Sequence, residues 1–211
     1  MKLHFFNFSP PCTNTIPIGI IGVMDNRSLI LHCALALISA RGYDAVGIQE
    51  IVDAASVTKP TLYHYFTNKR GLLDCLLETH FNELFVTLYQ AADYHGDLTL
   101  TLEKIARGYF TYARENPAFY RMQLSLYFAP PDSEPNQAVA HFNLEQHQAI
   151  EKVFSLAVTE HGNMRGRQRE YAAAFMGMIN TYIALFLNGY IELSDGLVYQ
   201  SVHQFMHGIF A

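Results

Sequence analysis

The sequence predicts an all-α protein of about nine helices. Three observations lead there. Apolar residues recur at helical spacing through most of the chain, as in Leu72, Leu73, Leu76, Leu77, Phe81, Leu84 and Leu88. No strand-period segment and no internal repeat stands out. Capping residues, Gly and Pro punctuate the periodic stretches at helix-length intervals. Half of the 211 residues are apolar, enough for a sizeable core.

The elements follow in order. Asp25 and Asn26 offer a cap, Leu29, Ile30, Cys33, Ala34, Leu37 and Ile38 share a face, and Arg41-Gly42 ends the first helix. Ile48, Ile51, Val52 and Ala55 mark a short second helix. Thr58 caps a third, with Pro60 in its first turn, where a missing N–H costs little. Leu62 and Phe66 face inward from it, and Tyr65 and Phe66 are assigned to packing. Asn68 caps a long fourth helix reaching Leu88. After a break at Tyr94 to Asp97, a helix runs from Leu98 to Glu115, and Pro117 opens the next, to Phe128. Residues 129–136 (Ala-Pro-Pro-Asp-Ser-Glu-Pro-Asn) read as a loop. Helices are then expected over about 137–161, 166–190 and 194–210.

Residues 1–24 fit none of this. Phe5, Phe6, Phe8, Pro10-Pro11 and the Ile/Gly run before Met24 give neither a membrane span nor a secretory leader. They are an extended arm packed on the body, or sequence upstream of a natural start at Met24. The remainder divides into 25–71 and 72–211.

Charge is sparse. Residues 25–80 carry a net charge of −1 and residues 81–211 of −5, so there is no bulk electrostatic footprint for nucleic acid. Any duplex contact must rest on local placement of donors. Cys12, Cys33 and Cys75 are too few and scattered for a disulfide framework or a zinc motif, which suits free thiols in a reducing cytoplasm. His203/His207 and His141/Glu145 stand at i, i+4, but two ligands do not make a metal site. No nucleophile elbow, phosphate loop or dinucleotide fingerprint occurs, so neither enzyme chemistry nor a cofactor is expected.

The stretch from Gly42 to Leu73 is the most specific in the chain. It reads as a short helix, a tight turn, a second short helix and the start of a longer one. This arrangement presents a recognition helix to the DNA major groove. Its run Thr58-Lys-Pro-Thr-Leu-Tyr-His-Tyr-Phe-Thr-Asn-Lys-Arg-Gly-Leu-Leu73, with Gly42-Tyr43-Asp44 and Ile51-Val-Asp-Ala-Ala55 before it, resembles the TetR family of transcriptional regulators over roughly residues 27–77. The resemblance implies a three-helix DNA-binding domain, a connecting fourth helix and a helical body for ligand binding and dimerisation. It implies a homodimeric cytoplasmic repressor, released from an operator by a small molecule. Two positions depart from the pattern. Gly47 stands where the family often has Ser or Thr, and Ser56 where it often has Gly, so Ser56 is strained if that turn needs positive φ.

Candidate DNA contacts follow. Lys59 can reach a base edge or a phosphate, and Pro60 and Thr61 offer apolar surface to a thymine methyl. Tyr63 and His64 can donate to phosphate oxygens, Lys69 sits at a helix N-terminus suited to a phosphate, and Thr58 can touch the backbone as well as cap. Gln49 and Arg27 complete the set. In the body, Ala173, Gly177, Thr181 and Ala184 form a small-residue stripe suited to a subunit interface, joined by Val202, Phe205, Met206 and Ile209 of the last helix. Tyr109, Tyr112, Phe119, Met122, Tyr127, Phe142, Phe175, Met178 and Tyr182 are candidates for an apolar ligand pocket, with Gln123, His141 and Asn180 as polar handles. The competing reading is a helical binding protein for apolar ligands that no longer binds DNA; Gly47, Ser56 and the weak positive charge favour it.

Overall fold

The computed structural model describes residues 25–160 and 162–208. Expectations for residues 1–24, and for Ile209, lie outside this range. Nine α-helices and one 3-10 turn are present, with no strand, among the described residues: α1 Asn26–Arg41, α2 Ile48–Ala54, α3 Lys59–Tyr65, α4 Lys69–Ala91, α5 Leu98–Glu115, α6 Pro117–Tyr127, α7 Glu134–Ala157, α8 Gln168–Leu187 and α9 Asp195–His207.

The caps explain most boundaries. Asp25, Thr58, Asn68, Asp97, Ser133 and Ser194 each accept a backbone N–H of the following first turn. The sequence reading named Asp25, Thr58 and Asn68 as caps and passed over Ser133. It starts α7 at Glu134, three residues earlier than expected, because Pro135 is tolerated in a first turn. The far end of α7 also comes early, at Ala157. Gly42 closes α1 at φ +84 and donates to Ile38 O, a conformation that a side chain would oppose.

Helices α1–α3 pack about Ile30, Ile38, Ile51, Val52 and Leu62, all essentially inaccessible. This head sits on the body mainly through α1 against α6 and through α4, whose inner face continues into the main core. In the body, α7 packs on α8 and α4, and α5 lies between α4 and α9. Gly108 permits the α4–α5 approach, since a Cβ there would stand 3.0 Å from Thr87 Cγ2. Arginines tie the α8–α9 connection to the body: Arg114 and Arg121 donate to the carbonyls of Leu193 and Leu187, and Arg107 pairs with Asp195.

Helix α8 is long and apolar enough to cross a membrane, yet here it packs in the bundle and leaves much of that apolar length uncovered. Ala173, Gly177 and Thr181 are exposed and Ala184 half-buried, so the small-residue stripe faces outward. Val202 corrects the interface expectation. It is 0% exposed, because that side of α9 is turned onto the body, and Phe205 and Met206 are partly buried with it. The outer side of α9 instead carries Tyr199, His203 and His207, whose rings adjoin in sequence.

Candidate nucleic-acid interface and ligand groove

The turn between α2 and α3 sets the aim of α3. Val57 N donates to Val52 O, and Ser56 takes φ +52, so the strain foreseen at this position is present. Thr58 then caps α3 through Thr61 N at 3.3 Å, and the two threonine hydroxyls lie 2.9 Å apart. Leu62 anchors the helix inward. Lys59, Pro60, Tyr63 and His64 are exposed on the outer side, with Thr61 half-buried. Tyr65 corrects its assignment to packing: it is 40% exposed, its ring 5.0 Å from that of His64, while Phe66 alone of the pair is buried. α3 therefore presents a short polar and aromatic face with one lysine, Lys59.

The other candidates are already engaged. Lys69 is the first residue of α4, and its Nζ donates to Tyr43 O at 2.6 Å and lies 4.0 Å from the centre of the Tyr43 ring. Burial holds its pKa below the usual lysine value, against the pull of Asp44, Glu134 and Glu50. It reaches a phosphate only by releasing these contacts. Gln49, exposed on α2, donates to Asp53. Arg27 bends back to Cys75 Sγ at 2.7 Å and over the Phe66 ring, rather than outward. At the start of α2, Gly47 offers only its backbone, and Glu50 accepts its N–H at 3.1 Å.

A polar bridge that sequence reasoning missed joins head to body. The Tyr43 hydroxyl donates to the Glu134 carboxylate at the start of α7, and Arg70 donates to the Glu134 carbonyl at 3.3 Å. Burial first, then the Glu134 bond, pushes the Tyr43 pKa well up, so its hydroxyl stays protonated. No sequence signal links two residues this far apart in the chain.

Residues 30–76 match the family described as bacterial regulatory proteins, tetR family. That segment of the chain is a domain of the tetR-family type. It is 25% identical over 184 residues to the transcriptional activator FasR of Mycolicibacterium smegmatis, covering 87% of this chain and 82% of that one. Among solved structures, FadR of Bacillus subtilis, in complex with stearoyl-CoA, superposes with a TM-score of 0.73 at 17% identity over 86% of this chain and 98% of that one. FadR of Bacillus halodurans gives 0.73 at 17%, over 88% and 97%. At these identities the solved structures show a shared fold. The tetR-family match falls on the head just described, and the protein is a DNA-binding transcriptional regulator.

The body holds a groove of about 440 Å³ between α6, α7 and α8. Tyr127 and Asn180, two of the expected pocket residues, line it, together with Leu124, Phe128, His147 and the exposed stripe of α8. The rest of the expected set lies elsewhere. Tyr109, Phe119, Met122 and Phe175 are 0–1% exposed in packed core, with Tyr112 and Phe142 buried beside them. Phe142 stacks on Phe81 at 4.4 Å and Phe175 meets Phe205 at 5.2 Å, so their aromatic bulk fills space rather than enclosing it. His141 is exposed on α7, and Met178 and Tyr182 border a separate surface hollow near Gln204. Gln123 lies behind the groove, 1% exposed. The sequence drew attention to aromatic residues; of those it named only Tyr127 lines the groove, beside Phe128, Leu124, Met176 and the small residues of α8.

Proposed function

We propose that the protein is a cytoplasmic homodimeric repressor that leaves its operator when a small, largely apolar ligand occupies the body. The observation that carries the dimer is α8: an apolar helix with its small-residue face uncovered, in a family whose recognition works through paired helices. Two copies joined through α8 and the outer side of α9 place two α3 helices on one duplex. The groove that has this face as one wall, apolar and of ligand size, supports the release step. The Tyr43–Glu134–Arg70 bridge supports a route for it, since Glu134 follows the α6–α7 corner that Tyr127 and Phe128 share with the groove.

The proposal is tested by titrating the protein against DNA from upstream of its own gene in a mobility-shift assay, with sedimentation to set the oligomeric state. The expected result is a dimer with strongly salt-dependent, sequence-preferring binding. A monomer indifferent to every fragment at low salt would leave only the binding-protein reading.

A further inference from the structure

From Tyr171 to Ile191, and again from Gly196 to Gly208, the chain holds no Asp, Glu, Lys or Arg. Yet Tyr199, Gln200, His203, Gln204 and His207 are exposed along the outer side of α9, beside the uncovered small face of α8. An exposed face without a single charge is suited to cover by protein rather than by water. The register of the two helices follows from Gln204 and Phe205, which share a surface hollow with Met178, Thr181 and Tyr182. The turns of α9 that hold His203 and His207 are therefore level with the small stripe of α8. A Cβ added at Gly177 of that stripe would meet nothing, so a second copy can approach closely at this level. His203 and His207 stand one helical turn apart, their ring centres 4.7 Å from each other. Two imidazoles on one tetrahedral zinc, each nitrogen about 2.0–2.1 Å from the metal, have ring centres about 5 Å apart. The pair already has the spacing of a chelate. Tyr199 packs its ring 5.7 Å from that of His203, one turn earlier. His207 is the last residue of α9, where the helix dipole favours a cation. Among the described residues no third His, Cys, Asp or Glu joins the pair, so one chain provides two ligands only. An isologous interface sets each patch against its own copy, and a pair beside the axis meets the same pair.

We infer that the dimer binds one divalent transition-metal ion, zinc foremost, on its two-fold axis, held by His203 and His207 and by His203 and His207 of the partner subunit. This rests on the homodimer proposed above and deepens it. Imidazole nitrogens suit zinc, copper and nickel and are poor ligands for magnesium or calcium. Four of them complete a tetrahedral site with no open position, so the ion is a clasp between subunits and not a catalyst. Recognition needs two α3 helices on one duplex, and an ion that tightens the dimer therefore tightens operator binding.

The test uses the full chain without an affinity tag, stripped of metal with EDTA and dialysed free of it. Zinc chloride is titrated by calorimetry, and sedimentation gives the dimer dissociation constant with and without zinc. The expected stoichiometry is one zinc per two chains. Zinc at about ten times its half-saturating concentration should lower the dimer dissociation constant about tenfold, the factor that mass action assigns to a ligand of the dimer alone. His203→Gln and His207→Gln, both at exposed positions, should each abolish this gain without unfolding the chain, whereas His141→Gln on α7 should keep it. One zinc per chain, no zinc bound, an unmoved dimer constant, or a gain that survives in both variants would overturn the inference. A metal-free dimer that ignores zinc removes the site and leaves the dimer standing; a chain that stays monomeric with and without zinc removes both.

Discussion

Replacing Ser56 by Gly tests whether the turn of the recognition motif is held under strain. Ser56 is exposed and stands at φ +52 between α2 and α3. The left-handed region costs an L-residue about 1–2 kcal/mol. Glycine removes that cost but surrenders about 0.5–1 kcal/mol through its larger unfolded-state freedom. At the middle of these ranges the difference favours glycine by about 0.75 kcal/mol. For a chain of this size, about 1 kcal/mol moves the melting temperature by about 2–4 °C, so Ser56→Gly is expected to raise it by about 1–4 °C. The assay is thermal unfolding by circular dichroism at one fixed protein concentration, since a dimer's melting point depends on concentration. Ser56→Ala is the control: alanine keeps the Cβ and hence the strain, and should change stability by no more than about 0.5 kcal/mol. A glycine variant that melts at or below the wild type, or an alanine variant that gains as much as glycine, would refute the reasoning.

Three further outcomes are expected. In operator titrations, Lys59→Ala should alter base preference, whereas Lys69→Ala, whose ammonium must leave the Tyr43 carbonyl to meet a phosphate, should weaken binding across all sequences and lower the salt slope by no more than about 1. Gly47→Ser should add a few tenths of a kcal/mol of stability and tighten DNA binding. Its backbone is already extended at φ −91, and a Cβ there would meet only Glu50 Oε1, at an ordinary 3.6 Å; urea unfolding and the same titration read the two effects. His80 is stacked on Phe119, and its burial outweighs Glu83, holding its folded pKa below 6.5. Its contribution to stability is therefore full above that value and is lost as pH falls below it, because the unfolded chain takes up the proton first. His80→Gln should flatten the fall in melting temperature between neutral and mildly acidic pH, and an unchanged slope would show that other groups set it.

Local chemistry made the helices legible. Caps at Asp25, Thr58, Asn68 and Asp97 act within one turn of themselves, and the apolar period of α4 is unbroken. The start of α7 was missed because Pro130, Pro131 and Pro135 outweighed the Ser133 cap in a reading by composition. The recognition helix was legible for the same local reason, apart from Tyr65, whose outward turn depends on where α3 ends. What periodicity could not supply was the choice among apolar faces. Val202 and Phe175 look like interface or pocket residues until α9 is seen lying on the body. His147 carries no signal at all, because its meaning arises only where three helices meet.

The junction between α1 and α6 limits how this protein can be taken apart. Ile30 of the head, Leu72 and Leu76 of α4 and Phe119 of the body belong to one continuous apolar cluster, and Tyr43 is tethered to Glu134 across the same seam. A fragment cut after residue 71 would bare the side of α1 that rests on α6 and discard the inner face of α4. Swapping heads between relatives to rewire promoters would succeed only if the matching surface of α6 and the first turn of α7 travelled with the transplant.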